Sequence, residues 1–126
     1  MQRRLFLAGL ALAPISASLA RSVPSTFIAP RLAKELMAKH PDAVILDVRT
    51  PEEFRSERIP GAINLPVAEI VKGKLPAQLD DKNRLYFVYC RSGRRSALAV
   101  KLLEALGFKN ACNLGGILDW PYEIER

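Results

Sequence analysis

With 126 residues the chain has room for one domain, and a body of about 100 residues still buries a usable core. Its composition, 49% hydrophobic, 25% charged and 7% aromatic, is that of an ordinary globular protein and excludes a disordered chain, while two cysteines are too few for a disulfide framework. Nineteen Lys and Arg against thirteen Asp and Glu give +6, but the arginines form no stripe interleaved with aromatics; a small anion drawn to a local basic cluster is the expected partner, and nucleic acid is not.

The chain opens on MQRRLFLAGLALAPISASLA, with a basic pair at Arg3 and Arg4, an apolar run from Leu5 to Ala13, and Ser18-Leu19-Ala20 in the small-x-small pattern of a cleavage site. Residues 1–20 are therefore expected to be an export signal cut after Ala20, which leaves seventeen basic residues against thirteen acidic ones, a net +4. Pro14 breaks the apolar run well short of the roughly 20 residues that span a bilayer, so no stable membrane span is expected after processing. Gln2-Arg3-Arg4-Leu5-Phe6-Leu7 resembles the R-R-x-F-L core of bacterial twin-arginine signals. An ordinary secretory signal also begins with basic residues, and either route leads to the periplasm. Residues 21–25, containing Pro24, read as a short lead-in to a domain over 26–126.

From Thr26 onward short apolar runs alternate with helical patterns, the rhythm of βαβ units and of an α/β fold with a largely parallel sheet. Thr26 to Ile28 suits a first strand, and Pro30 the first position of a helix that carries Leu32, Leu36 and Met37 on one side and ends before Pro41. His40, in Lys39-His40-Pro41-Asp42, reads as an exposed loop histidine; with Cys90 and Cys112 it lacks the spacing of metal ligands, and no metal or other cofactor is expected. Ala43-Val44-Ile45-Leu46 is the continuous apolar run of a strand buried on both faces, with Asp47-Val48-Arg49 at its carboxyl end. Thr50-Pro51-Glu52-Glu53 satisfies a capping box. Ile59 to Pro66 reads as a turn and a short strand, Val67 to Val71 as a helical turn, and Lys72 to Asn83 as a surface loop anchored by Leu75 and Leu79. Leu85-Tyr86-Phe87-Val88-Tyr89, aromatic and β-branched, is the strongest strand signal. A helix follows Ser96, with Leu98, Leu102, Leu103 and Leu106 at helical spacing and Gly107 as its stop, and Asn110 to Leu114 is the last strand.

The chemistry concentrates in Cys90-Arg91-Ser92-Gly93-Arg94-Arg95-Ser96, between a buried strand and a helix start, where open α/β sheets place their ligands. Unpaired N–H groups at a helix amino terminus favour a thiolate, and the charges of Arg91, Arg94 and Arg95 push the same way. Gly93 permits the positive φ that lets successive N–H groups turn inward as a nest for an anion. Cys112, whose nearest basic neighbour is Lys109, reads as a structural strand residue. A Cys90–Cys112 disulfide would consume the nucleophile, and a free Cys90 is the expectation.

Three blocks in order resemble the rhodanese family over Thr26 to Trp120: Asp47-Val48-Arg49-Thr50-Pro51-Glu52-Glu53-Phe54 continued by Ile59-Pro60-Gly61-Ala62-Ile63-Asn64-Leu65-Pro66, then Cys90 to Ser96, then Asn113-Leu114-Gly115-Gly116 with Trp120. The resemblance implies a central, mainly parallel five-stranded sheet flanked by helices, and a sulfurtransferase in which Cys90 carries sulfur as a persulfide. It implies anion binding by the loop N–H groups of Arg91, Ser92, Gly93, Arg94, Arg95 and Ser96, with support from Asp47 and Arg49. Asp47, Arg49 and Glu53 are read as structural ties between loops, Gly115 and Gly116 as points of close backbone approach, and Trp120 as a packing residue. The implied partners are a small anionic sulfur donor such as thiosulfate and a cyanide or thiol acceptor, a protein of the cell envelope included. Glu57-Arg58 replaces the Gly-His that the family places before its Ile-Pro-Gly-Ala block, so that histidine's role has no counterpart here.

Two other functions compete. Phosphatases and arsenate reductases of the same fold use a C-x-x-x-x-x-R loop, and here Arg95 arrives one position early, leaving a ring sized for one sulfur atom. A non-catalytic rhodanese-like binding module would not need Cys90.

Overall fold

The computed structural model describes residues 27–126. Four parallel strands, β1 (Val44–Asp47), β2 (Ile63–Asn64), β3 (Tyr86–Cys90) and β4 (Ala111–Gly116), form one sheet in the order β2-β1-β3-β4. The helices are α1 (Pro30–Lys39), α2 (Pro51–Ser56), α3 (Val67–Val71) and α4 (Arg94–Ala105), with 3-10 turns at Ala77–Leu79 and Ile117–Asp119. Among the described residues no helix is long and apolar enough to cross a membrane.

Every residue of β3 is buried, as a central strand covered on both faces must be, and the two-residue period of a strand sends alternate side chains into two cores. Tyr86, Val88 and Cys90 join Leu46, Val48, Ile70, Leu103 and Phe108 on one face. Phe87 and Tyr89 join Ile28, Ala33, Cys112, Leu114 and Trp120 on the other. Burying side chains of this size contributes about 1.5–3 kcal/mol each, which is what holds a four-strand sheet together against chain entropy. Cys90 and Cys112 thus lie on opposite faces, both thiols are free, and no disulfide can join them through the sheet.

Several expectations are corrected. Of the first strand expected over Thr26 to Ile28, Thr26 lies outside the described residues, and among those described there is a single parallel bridge between Phe27 and Asn113, with the Ile28 N–H donating to the Asn113 carbonyl at 2.9 Å. Ala29 and Pro30 already cap and start α1, so the pairing cannot run on past Ile28. The buried face of α4 keeps Leu103 of the expected set, with Leu102 packed beside it, but not Leu98 or Leu106. Leu98 is 48% and Leu106 37% exposed, whereas Ser96, Ala99, Val100 and Leu103 face the sheet. The small side chains of Ser96 and Ala99 let the first turns of the helix approach the sheet closely, which leucines at those two places would prevent. The helix also begins at Arg94, inside the stretch read as a loop. In α1, similarly, Ala33 is the fully buried residue and Leu32 is half exposed.

The local signals hold. Thr50 and Glu53 form the capping box, with the Glu53 N–H donating to Thr50 Oγ1 at 3.2 Å and the Thr50 N–H to Glu53 Oε1 at 3.1 Å. His40 is exposed. Leu79 is buried beneath the 72–83 loop, and Trp120 is buried with its Nε1–H donating to the Glu123 carbonyl at 3.1 Å. The residues that replace the family's Gly-His have a structural use: Arg58 pairs antiparallel with Glu125 through two backbone bonds of 2.8 Å and an ion pair of 3.1 Å, and Glu57 meets Arg126 at 3.3 Å. Together they seal the carboxyl-terminal segment onto the end of α2.

Candidate active site

Cys90 ends β3, and the chain needs only Arg91, Ser92 and Gly93 to reverse into α4. Gly93 makes that turn possible with φ +106°, a conformation closed to side-chain-bearing residues. The turn brings the Gly93 N–H to 3.0 Å from Cys90 Sγ, and puts Ser96 Oγ 3.6 Å from the same sulfur. Burial by itself raises a thiol pKa; here the Ser96 hydroxyl and the N–H groups of Ser96, Gly93 and Ser92 outweigh it, and Cys90 is held below the ordinary thiol range. Burial acts unopposed on Cys112 and pushes it up to about 11.

The residues of the expected anion cradle thus divide. Ser92, Gly93 and Ser96 supply the donors around the sulfur. Arg91 and Arg94 are exposed, where water and salt screen their charge. Arg95 couples electrostatically to Cys90, but its guanidinium is engaged elsewhere: Nη1 and Nη2 donate to the two oxygens of Glu53 at 2.8 and 3.0 Å.

That fork ties α2 to the first turn of α4, and chiefly through Arg95 it holds the Glu53 carboxyl down at about 2. A lowered carboxyl pKa contributes stability in full above the ordinary value of 4.5, and the contribution fades as pH falls through that value toward 2. Glu53→Gln should therefore cost about 1 kcal/mol at neutral pH, since both side chains are about a third exposed. The deficit should shrink to nothing between pH 4.5 and 2, as read by denaturant unfolding at several pH values. A deficit independent of pH would mean that shape, and not charge, is what the pair supplies.

Asp47 and Arg49 form a closed buried unit. The Arg49 N–H and Nε donate to Asp47 Oδ1 at 2.9 and 3.0 Å, and Nη2 donates to Oδ2 at 2.7 Å and to the Glu57 carbonyl at 2.6 Å. Asn64 Nδ2 donates to the carbonyls of Asp47 and Arg49 at 3.0 Å. The end of β1, the end of α2 and β2 are thereby tied. Removing one partner of such a pair would strand a buried charge.

The far wall of the loop is β4. Cys90 stands opposite Gly116, and a bulge between Val88 and Tyr89 pairs them with Asn113 and Gly115. A Cβ on Gly116 would meet Ser92 Cα at 2.6 Å, so the loop lies directly on this glycine, the close approach expected there. The Leu118 N–H then donates to the Arg91 carbonyl at 3.3 Å and closes the turn. A cleft of about 380 Å³ runs alongside, lined by Arg49, Glu53, Glu57, Arg91, Ile117 and Leu118. A larger cavity of about 520 Å³ lies at the other end of the sheet, against Leu36, Leu85 and Cys112, far along the strands from the reactive loop. One contributor enters the sequence reading only as part of the Asn113-Leu114-Gly115-Gly116 block, with no role of its own: Asn113, whose Oδ1 accepts from Ser96 Oγ at 2.8 Å and from the Gly115 N–H at 2.9 Å. That role exists only once the bulge and α4 meet.

A buried strand thus delivers a cysteine held below the ordinary thiol range into a nest of amides within a parallel α/β domain. The rhodanese-like domain family matches residues 29–122, and the chain belongs to that family. It is 40% identical over 74 residues to thiosulfate sulfurtransferase PspE of Escherichia coli, covering 59% of this chain and 70% of that protein. It is 37% identical over 82 residues to the putative sulfur carrier protein YrkF of Bacillus subtilis, of which the match spans 43%. Among solved structures, a rhodanese-like domain protein from Staphylococcus aureus is similar with a TM-score of 0.67 and 33% identity, covering 79% of this chain and 96% of that one. A rhodanese with anions from E. coli has a TM-score of 0.61 and 34% identity, covering 67% and 98%.

Proposed function

We propose that the chain is a sulfurtransferase that moves a sulfane sulfur from thiosulfate or a similar small anion to a thiol or cyanide through a Cys90 persulfide. The Cys90 thiolate attacks the outer sulfur of the donor; the donor's S–S bond breaks, sulfite leaves with the electron pair, and a new S–S bond leaves a persulfide anion in the nest. An acceptor thiolate then attacks the outer persulfur, forming its own persulfide and returning Cys90 as thiolate. Cyanide would leave as thiocyanate. Amide donors aimed at the sulfur stabilise its charge through both exchanges, and neither needs a cofactor.

The observation that carries this reading is the Gly93 N–H at 3.0 Å on the sulfur of a buried cysteine. The phosphatase and arsenate reductase readings are disfavoured by Arg95, which comes five residues after Cys90 and is forked onto Glu53, away from any oxyanion. Thiosulfate should add the mass of one sulfur atom to the protein, whereas an aryl phosphate should not be hydrolysed. Phosphate release without sulfur uptake would overturn the proposal, and inertness toward every donor would leave a binding module.

Export rests on residues 1–20, which lie outside the described residues. In a bacterial host the full chain should appear in the periplasmic fraction beginning at Arg21. Recovery with Met1 intact in the cytoplasm would refute it.

A further inference from the structure

Ser96 is surrounded by more acceptors than its single proton can serve. Its Oγ lies 2.8 Å from Asn113 Oδ1, 3.0 Å from the Gly93 carbonyl and 3.4 Å from the Gly115 carbonyl, with Cys90 Sγ at 3.6 Å. A hydroxyl has one donor and two lone pairs, so the shortest of these contacts takes the proton and the oxygen turns a lone pair toward the sulfur. In that state the Cys90 S–H donates to Ser96 and Ser96 donates to Asn113. Once Cys90 is ionised the only useful orientation is reversed: the thiol proton has gone to solvent, the Ser96 O–H swings onto the sulfur anion, and Asn113 Oδ1 keeps the Gly115 N–H alone.

We propose that Asn113 is a positioning residue of the Cys90 site: it competes with the sulfur for the Ser96 proton and so sets how readily Cys90 ionises. The inference rests on Cys90 being the reacting thiol. The other charged groups near the sulfur are already committed or screened. Arg95 of α4 is held by Glu53 of α2, Arg91 and Arg94 are exposed at the loop and helix start, and Asp47 and Arg49 at the end of β1 are closed on each other. The Tyr89 hydroxyl accepts the Ile59 N–H on the opposite face. The Ser96 proton is therefore the adjustable donor in the nest. The bulge in β4 is what brings the Asn113 amide to it.

The test is the pH dependence of Cys90 alkylation by the neutral reagent iodoacetamide, with the labelled site identified by peptide mass. Asn113→Asp keeps an oxygen for the Gly115 N–H but holds the Ser96 proton harder; the midpoint should rise by about one pH unit, roughly a tenfold slower reaction at neutral pH. Asn113→Ala removes the nearest competitor and leaves only the longer contacts to the Gly93 and Gly115 carbonyls, so the midpoint should fall. In a Ser96→Ala background the Ala effect should vanish and the Asp effect shrink by more than half, leaving only its direct charge. A residue that merely shaped the bulge would move both variants the same way. That result, or shifts unchanged without the Ser96 hydroxyl, overturns the inference; should Asn113→Ala not fold, the Asp comparison with and without Ser96 decides alone. Wild-type protein that takes up no sulfur would sink the sulfurtransferase reading while leaving these midpoints measurable.

Discussion

Cys90→Ser should abolish sulfur uptake from thiosulfate, by at least about a thousandfold, while leaving the fold intact. A serine hydroxyl is not ionised at neutral pH and cannot leave as an anion in the second exchange, so both halves of the cycle are lost together. The fold should survive because the substitution is nearly isosteric and the Gly93 N–H, 3.0 Å from the sulfur, finds an oxygen acceptor in its place. Cys112→Ser supplies the contrast. Its thiol is buried among Phe87, Leu114 and Ile28 on the other face and pushed up to about 11, so it holds almost no thiolate at neutral pH. Sulfur uptake should be unchanged, with a stability cost of about 1–3 kcal/mol for a buried hydroxyl. Mass spectrometry of the two variants after thiosulfate treatment reads both outcomes; a persulfide on Cys112 would relocate the site to the wrong face of the sheet.

The features legible in the sequence are those whose causes are local. The run Leu85 to Tyr89 needs only its own residue types to be read as a buried strand, and the capping box needs only the spacing of Thr50 and Glu53. Cys90, followed at once by a glycine-containing turn and a helix start, announces a nest for an anion without any partner in view. What was missed depends on which segments meet. Glu53 lies 42 residues from the arginine it neutralises, and Arg58 67 residues from Glu125. Neither pairing has a sequence signature, and the first of them withdraws from the anion an arginine that the loop alone offers to it. A periodicity count finds Leu103 on the buried face of α4 but also admits Leu98 and Leu106, because large leucines dominate it, whereas close helix–sheet approach selects Ser96 and Ala99. Asn113 is a further case: its place in the Asn113-Leu114-Gly115-Gly116 block gives it no chemistry until a bulge in the ladder sets its amide beside Ser96.

Gly116→Ala should damage the site most without touching any group that reacts. Its added Cβ would lie 2.6 Å from Ser92 Cα and 2.7 Å from the Arg91 carbonyl carbon. Both are backbone atoms of the loop itself, so no side-chain rotation relieves the clash; either the loop lifts or β4 withdraws from β3. Lifting the loop draws the Gly93 N–H off the sulfur, and withdrawing β4 carries Asn113 away from Ser96, so each escape dismantles part of the nest. Overpacking of this kind costs about 2 kcal/mol, a drop of roughly 10 °C in Tm for a domain of this size. A displacement on the order of 1 Å in the donors should lower sulfur uptake about a hundredfold. The two effects separate by temperature: far below the lowered Tm the variant is folded by circular dichroism, yet the midpoint of Cys90 alkylation should climb toward that of an ordinary thiol, because the donors that opposed its burial are gone. Uptake at the wild-type rate in a folded Gly116→Ala protein would show that the amide nest does not control the sulfur.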